Sequence, residues 1–208
     1  MLTKNTFWLM LALFTAVTAL SAYVALPGAE SKKWVINQSS NLCVNGSTNI
    51  NKFACDIPDY DHADTLTLTK GKNDKEVALS GCINLKIESF DCHNSVMTRD
   101  LRSTLKEKQF PRMRISFLTL SEFPDLSLKP RAITGLVNIE LAGTTKRFEV
   151  NYQAYVDAQK CIHLLGSRDV TFSDFNLIPP RKLGGMIKTN DKLSVTFHLK
   201  IKALDSNL

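Results

Sequence analysis

The stretch KLSVTFHLKIKAL, Lys192 to Leu204, decides the fold class. Leu193, Val195, Phe197, Leu199 and Ile201 share one face of an extended chain. Ser194, Thr196, His198, Lys200 and Lys202 share the other. A period of two marks a strand with one dry face and one wet face. The same period recurs upstream. In ITGLVNIELAG, Ile133, Val137, Ile139 and Leu141 oppose Thr134, Asn138 and Glu140. In KRFEVNYQAYV, Phe148, Val150, Tyr152, Ala154 and Val156 oppose Arg147, Glu149, Asn151 and Gln153. CINLKIESF and RMRISFL add two inner rows, Ile83, Leu85, Ile87 and Met113, Ile115, Phe117. Two-faced strands of this kind suit an antiparallel sheet rather than a parallel one.

One segment breaks the period. In SVMTRDLRSTLKEKQF, Met97, Leu101 and Leu105 recur every four residues. This predicts one short helix of about three turns laid on the sheet, with Ser95 as its cap and Pro111 as its stop. PDYD (Pro58 to Asp61), KGKND (Lys70 to Asp74) and AGTTK (Ala142 to Lys146) read as turns. No linker or repeat divides residues 31–208, which read as one all-β domain. So many amphipathic strands must hide their edges as well as their inner face. A closed antiparallel β-barrel of about eight strands does both, and a two-sheet sandwich is the competitor.

Residues 1–30 read as an address rather than as fold. Lys4 is the only charge before Glu30, and an apolar run, FWLMLALFTAVTALSAYVAL, extends from Phe7 to Leu26. Ala19 and Ser21 supply the small side chains of a signal-peptidase site, so an exported, cleaved chain is expected, with an uncleaved anchor as the alternative. Export permits disulfides among Cys43, Cys55, Cys82, Cys92 and Cys161, and an odd count leaves at least one thiol over.

The 208-residue chain carries 26 Lys+Arg against 20 Asp+Glu, a formal net charge of +6. That excess does not form a polyanion site. Lys86, Arg112, Arg114, Arg147, Lys200 and Lys202 fall on the wet faces beside acidic or polar neighbours. No aromatic-interleaved basic stripe accompanies them, which argues against a nucleic-acid partner. Catalytic and metal signatures are missing too. There is no GxSxG, no HExxH and no CxxC, and no glycine-rich phosphate cradle. Asp56, Asp59, Asp61 and Asp64 cluster without the spacing of a calcium loop. Of His62, His93, His163 and His198, only His93 adjoins another soft ligand, Cys92, and alternation points His198 to solvent. The expectation is therefore a non-enzyme with no metal and no cofactor.

Four stretches taken together resemble the YceI-like family. MTRDLRSTLKEKQFPRMRISF (Met97 to Phe117) is similar to its helix-then-strand signature. ITGLVNIELAGTTKRFEV resembles its next hairpin. GSRDVTFSDFNL (Gly166 to Leu177) resembles its SDFG strand, with Asn176 where Gly is usual. WVINQSS at Trp34 suits its first strand. GSTNINKFAC (Gly46 to Cys55) and NLIPPRKLGGMIKTNDKLSVTFHL (Asn176 to Leu199) look like an exported subgroup common in Bacteroidetes-type bacteria.

The resemblance implies an extended lipocalin-like barrel in the periplasm or envelope of a Gram-negative bacterium. It implies a long apolar ligand, such as a polyisoprenoid or other lipid-like molecule, inside that barrel. The membrane would then be met only through the N-terminal segment or during ligand exchange. Phe90 to Cys92 matches the subgroup's FDC, which implies a Cys55–Cys92 disulfide; Cys43, Cys82 and Cys161 stay unassigned. Family members are often dimeric, but no motif here marks a homodimer.

The candidate cavity lining is Ile83, Leu85, Ile87, Met113, Ile115, Phe117, Val137, Ile139, Leu141, Phe148, Val150, Tyr152, Val195, Phe197 and Leu199. A filled core would use the same residues, and periodicity cannot separate the two. Arg99, Arg102 and Lys106 share a helix face and are the candidates for a polar head group. A filled barrel acting as a structural or stress-associated envelope protein, through protein–protein contacts, is the alternative function.

Overall fold

The computed structural model describes residues 31–60, 62–70, 76–124, 127 and 129–204. Residues 1–30, read above as a signal or anchor, lie outside the described residues, as do Asp61 and most of the KGKND turn. In chain order the strands are β1 (Ser31–Ile36), β2 (Asn41–Ser47), β3 (Lys52–Ile57), β4 (Thr65–Lys70), β5 (Val77–Lys86), β6 (Arg112–Leu120), β7 (Arg131–Leu141), β8 (Thr144–Val156), β9 (Ile162–Thr171), β10 (Arg181–Lys182), β11 (Ile187–Lys188) and β12 (Lys192–Ala203). Helix α1 spans Ser95–Thr104.

Eight strands close into an antiparallel barrel in the order β1-β4-β5-β6-β7-β8-β9-β12, and β12 returns to β1. The hairpin β2–β3 also joins β12, and β10–β11 form a separate small ribbon. Strand β12 holds the closure together. One edge pairs with β9 from Lys192 to Ile201. The other pairs with β2 at Ser194–His198 and with β1 at Ile201–Ala203.

The join between β1 and β2 is a jog at residues 37–40. There the buried Ser40 hydroxyl accepts from Lys200 N at 3.0 Å, and Asn37 N donates to Lys200 O at 2.7 Å. A side-chain oxygen thus replaces a ladder carbonyl, and the ladder stays satisfied across the jog.

The jog sends β1 to β4 and β2 to β3, so the wall splits on the helix side. Among the described residues no ladder pairs β3 with β5. The seam is held by other means. Asp56 N donates to Asp91 O at 2.7 Å, and Asp91 N to Asp56 O at 2.8 Å. Asn84 N donates to the Tyr60 hydroxyl at 3.3 Å. Cys55 and Cys92 are joined by a disulfide whose Cα atoms are 3.9 Å apart. Strand β5 bulges between Ala78 and Gly81, near where β4 departs. Gly81 has φ +140°, and a Cβ there would meet Thr65 O at 2.6 Å, so the bulge needs glycine.

Inner rows fill the barrel as alternation expects. Ile83, Leu85, Met113, Phe117, Val137, Phe148, Val150, Tyr152 and Leu199 are all buried. Across the β9–β12 ladder, Gly166 lies opposite Phe197, and a Cβ on it would stand 2.0 Å from the ring. Asn176 takes φ +54°, a left-handed conformation that asparagine tolerates, which accounts for its standing where glycine is usual. Leu141 pairs with Thr144, leaving Ala142 and Gly143, both at positive φ, as a two-residue turn.

Three local details differ from expectation. The cap of α1 is Asn94, not Ser95; its side chain accepts from Val96 N and Met97 N. The helix ends with Lys106 at φ +56°, well before Pro111, so the left-handed residue and not the proline ends it. Ile87 is buried but sits in a 3-10 turn beyond the end of β5.

The disulfide closes a loop of sequence separation 37 and crosses a seam that lacks ladder bonds. Loop-entropy arguments put its contribution at about 3–4 kcal/mol. Replacing Cys55 and Cys92 together by serine should lower urea stability by roughly that amount. Hydrogen exchange should accelerate first at the Asp56 and Asp91 amides.

Candidate functional site

Three free spaces lie in series from the helix side into the barrel. The outermost, about 230 Å³, is bounded by the β2–β3 turn, α1 and the β10–β11 ribbon; Phe53, Met97, Leu101 and Ile187 line it. The next, about 70 Å³, is lined only by apolar side chains, including Leu101, Leu105, Met113, Ile139, Leu141 and Phe175. The innermost, about 30 Å³, adds Ile83, Phe117, Val137, Val150 and Phe197, with Arg168 at its edge. Leu101 borders both the first and the second, and Leu42, Ile115, Ile139, Val170 and Val195 border the second and the third.

The sequence alone explains why the helix supplies the partition. Spacing of four residues puts Met97, Leu101 and Leu105 on one stripe, and that stripe faces the barrel. The mouth is also where apolar side chains reach solvent. Ile50 and Val96 on its lining are exposed, as are Leu183 and Met186 in the turn of the β10–β11 ribbon, Met186 at 75%. Asn49 Nδ2 donates to Met186 O at 2.9 Å, tying the β2–β3 turn to the ribbon. Asp100 and Lys182 pair at 2.6 Å on the rim.

Of the expected lining, Ile83, Met113, Ile115, Phe117, Val137, Ile139, Leu141, Val150, Val195 and Phe197 border the two inner spaces. Leu85, Ile87, Phe148, Tyr152 and Leu199 are packed core instead. Alternation missed Leu42, Val44 and Phe53, because β2 and β3 are short and carry interrupted patterns. Nor do Arg99, Arg102 and Lys106 border these spaces. Arg102 donates to Phe90 O at 2.8 Å, and Arg99 and Arg102 line an open polar depression with Asp91, His93 and Glu107. Lys106 is exposed at the end of the helix.

Tyr152 is the one buried side chain whose polar atom finds no hydrogen-bond partner among the described residues. Its ring meets Phe197 edge-on at 5.8 Å, deep in the barrel. Burial pushes its phenol well above the ordinary range, so it stays a neutral hydroxyl.

Titratable groups gather on the outer wall. His93 Nε2 lies 2.8 Å from Asp56 Oδ2. That bond raises the His93 pKa, and Asp56 is lowered by its hydrogen bond with Cys43 and by His93. Burial and the Asp56 carboxylate push the Cys43 thiol up to about 11, which keeps it protonated. On the β8–β9 side, His163 Nε2 lies 2.9 Å from Asp157 Oδ2, and His163 Nδ1 lies 2.7 Å from His198 Nε2. His198 is thus half-covered and bonded, not simply pointing into solvent. These groups are outside the barrel, away from the apolar spaces.

Removing the orphaned hydroxyl removes a buried unpaired group. Tyr152→Phe should therefore raise the urea stability of the ligand-free protein by about 1 kcal/mol. In an NMR titration His93 should titrate above 6.5, and Asp56 below its ordinary 3.8. Their mutual stabilisation then holds between these values. It fades as pH rises through the His93 value or falls through that of Asp56.

No protein-family model and no curated protein matches the chain. Solved structures do. Burkholderia cenocepacia BcnA superposes with a TM-score of 0.59 at 12% identity, over 80% of this chain and 99% of BcnA. A polyisoprenoid-binding domain from Saccharophagus degradans, implicated in plant cell wall breakdown, gives 0.59 at 12% identity over 82% of this chain and 98% of that one. A mutant Campylobacter jejuni YceI protein gives 0.50 at 12% identity, over 68% and 81%. The likeness is one of fold, and it extends over nearly the whole of the first two structures. With its closed eight-strand antiparallel wall and, among the described residues, one α-helix, this chain has the barrel fold of these structures, among them a YceI protein.

Proposed function

We propose that the protein is an exported, non-enzymatic carrier that holds a long apolar ligand, a polyisoprenoid or other lipid-like molecule, in the barrel. The observation that carries this reading is the series of free spaces that starts at a mixed rim and runs between apolar side chains inside, with Arg168 the one charged group, among the described residues, bordering the inner two. A barrel of the same fold is described as polyisoprenoid-binding. Each methylene moved from water into such a lining gains about 0.8 kcal/mol, so a chain ligand needs no specific polar partner. Exposed Ile50, Val96 and the ribbon's Leu183 and Met186 favour loading from a lipid surface at the same rim. The Cys55–Cys92 disulfide agrees with an oxidising compartment, and the Phe7–Leu26 run supports export.

One observation favours a second reading. The two inner spaces, about 70 and 30 Å³, are far below the ~300–1,000 Å³ of a formed small-molecule pocket. Loading therefore needs side chains near Leu101 and Leu105 to give way. A barrel that stays filled would act instead through protein–protein contacts at its apolar rim.

Native mass spectrometry of protein purified from its own envelope, with uptake of an apolar fluorescent probe, separates the two. Bound lipid and saturable uptake are expected. Val195 borders both inner spaces, so Val195→Phe should abolish uptake while costing about 1–3 kcal/mol of stability. Apo protein throughout, with no uptake, selects the filled barrel.

A further inference from the structure

The turn between β8 and β9 brings Asp157, Cys161 and His163 together on the outer wall. Their ligand atoms, a carboxylate oxygen, Sγ and an imidazole nitrogen, all lie within 4.8 Å of one another. We propose that these three residues form a zinc site, with His198 as the group that orients His163.

The arrangement is built rather than incidental. Asp157 Oδ1 accepts from Gln159 N at 3.0 Å and from Cys161 N at 2.8 Å, which folds the turn and aims Oδ2 at His163. Tyr155 stacks flat on the His163 ring, with centroids 4.7 Å apart and planes 3° from parallel. His163 itself is 9% exposed, so its ring has little freedom. His163 Nδ1 sits 2.7 Å from His198 Nε2, and this leaves Nε2 of His163 for the ion. Zinc ligands usually have this second bond on the far ring nitrogen, because it sets the tautomer.

Distances and donor types point to zinc. Tetrahedral zinc bonds of about 2.0–2.3 Å set neighbouring ligand atoms roughly 3.3–3.8 Å apart. The Asp157–His163 bond of 2.9 Å must widen by about 0.5 Å, and the cluster's longer separations must shorten by about 1 Å. One sulfur, one nitrogen and one oxygen suit zinc and exclude the hard, all-oxygen preference of calcium or magnesium. Binding releases the Cys161 thiol proton to solvent as the sulfur–zinc bond forms. The thiolate and the Asp157 carboxylate then bring two negative charges against the nearby Lys200, which pairs with His163 in the β9–β12 ladder. Three protein ligands leave a fourth position for water.

The full-length protein, stripped with a chelator, is titrated with Co²⁺ and then with Zn²⁺. One equivalent of Co²⁺ should produce a thiolate-to-cobalt charge-transfer band, and Zn²⁺ should abolish it. Cys161→Ser is nearly isosteric and should lose the band while circular dichroism is unchanged. Cys43→Ser and Cys82→Ser should keep it. His198→Gln should weaken Co²⁺ binding roughly ten- to hundredfold at unchanged stoichiometry. The proposal is overturned if no stoichiometric ion binds. It is equally overturned if the band survives Cys161→Ser, or if Cys43→Ser removes it.

Discussion

Closure through β12 is the constraint on which the rest of the structure depends. A barrel must satisfy both edges of every strand, and here one strand serves three neighbours. Its inner row, Leu193, Val195, Phe197, Leu199 and Ile201, faces the axis along its whole length, so any slip by one residue would turn that row to solvent. The register is therefore over-determined by burial and by the ladder together. The jog at residues 37–40 exploits this. Because β12 is fixed, its other edge can be shared between β1 and β2, and Ser40 and Asn37 satisfy Lys200 in the gap between the two ladders.

The interior carries a tension between packing and binding. Apolar rows chosen to exclude water also exclude a ligand until some of them move. The partition at Leu101 and Leu105 belongs to α1, which the β-ladders do not hold. Tyr152 adds to the tension, since an unpaired hydroxyl in an apolar core stabilises nothing by itself.

The elements built on unbroken alternation were legible in the sequence. β7, β8 and β12 carry long two-faced runs, and their burial follows from period alone. The helix was legible from Met97, Leu101 and Leu105. Its cap was not, because Asn94 and Ser95 are both good caps and only the backbone chooses between them. The β2–β3 hairpin was hard to read for a different reason. Its partner, β12, lies about 150 residues away, and Gly46 and Asn45 dilute its pattern. The outer cluster was legible only in part. Asp157, Cys161 and His163 are close in sequence, but His198 reaches them only through the β9–β12 ladder, 35 residues on. Spacing rules for soft ligands cannot see a group assembled across strands.

The seam beside β3 has a consequence for how the molecule matures. The end of the barrel near the β8–β9 turn is completed by backbone hydrogen bonds, which form in any compartment. The helix end adds to its Asp56–Asp91 backbone bonds the Cys55–Cys92 bond, which forms only when an oxidant removes two electrons. The two ends therefore finish under different chemistry. Reduction would release the covalent latch beside the mouth and leave the ladders that set the barrel's register in place.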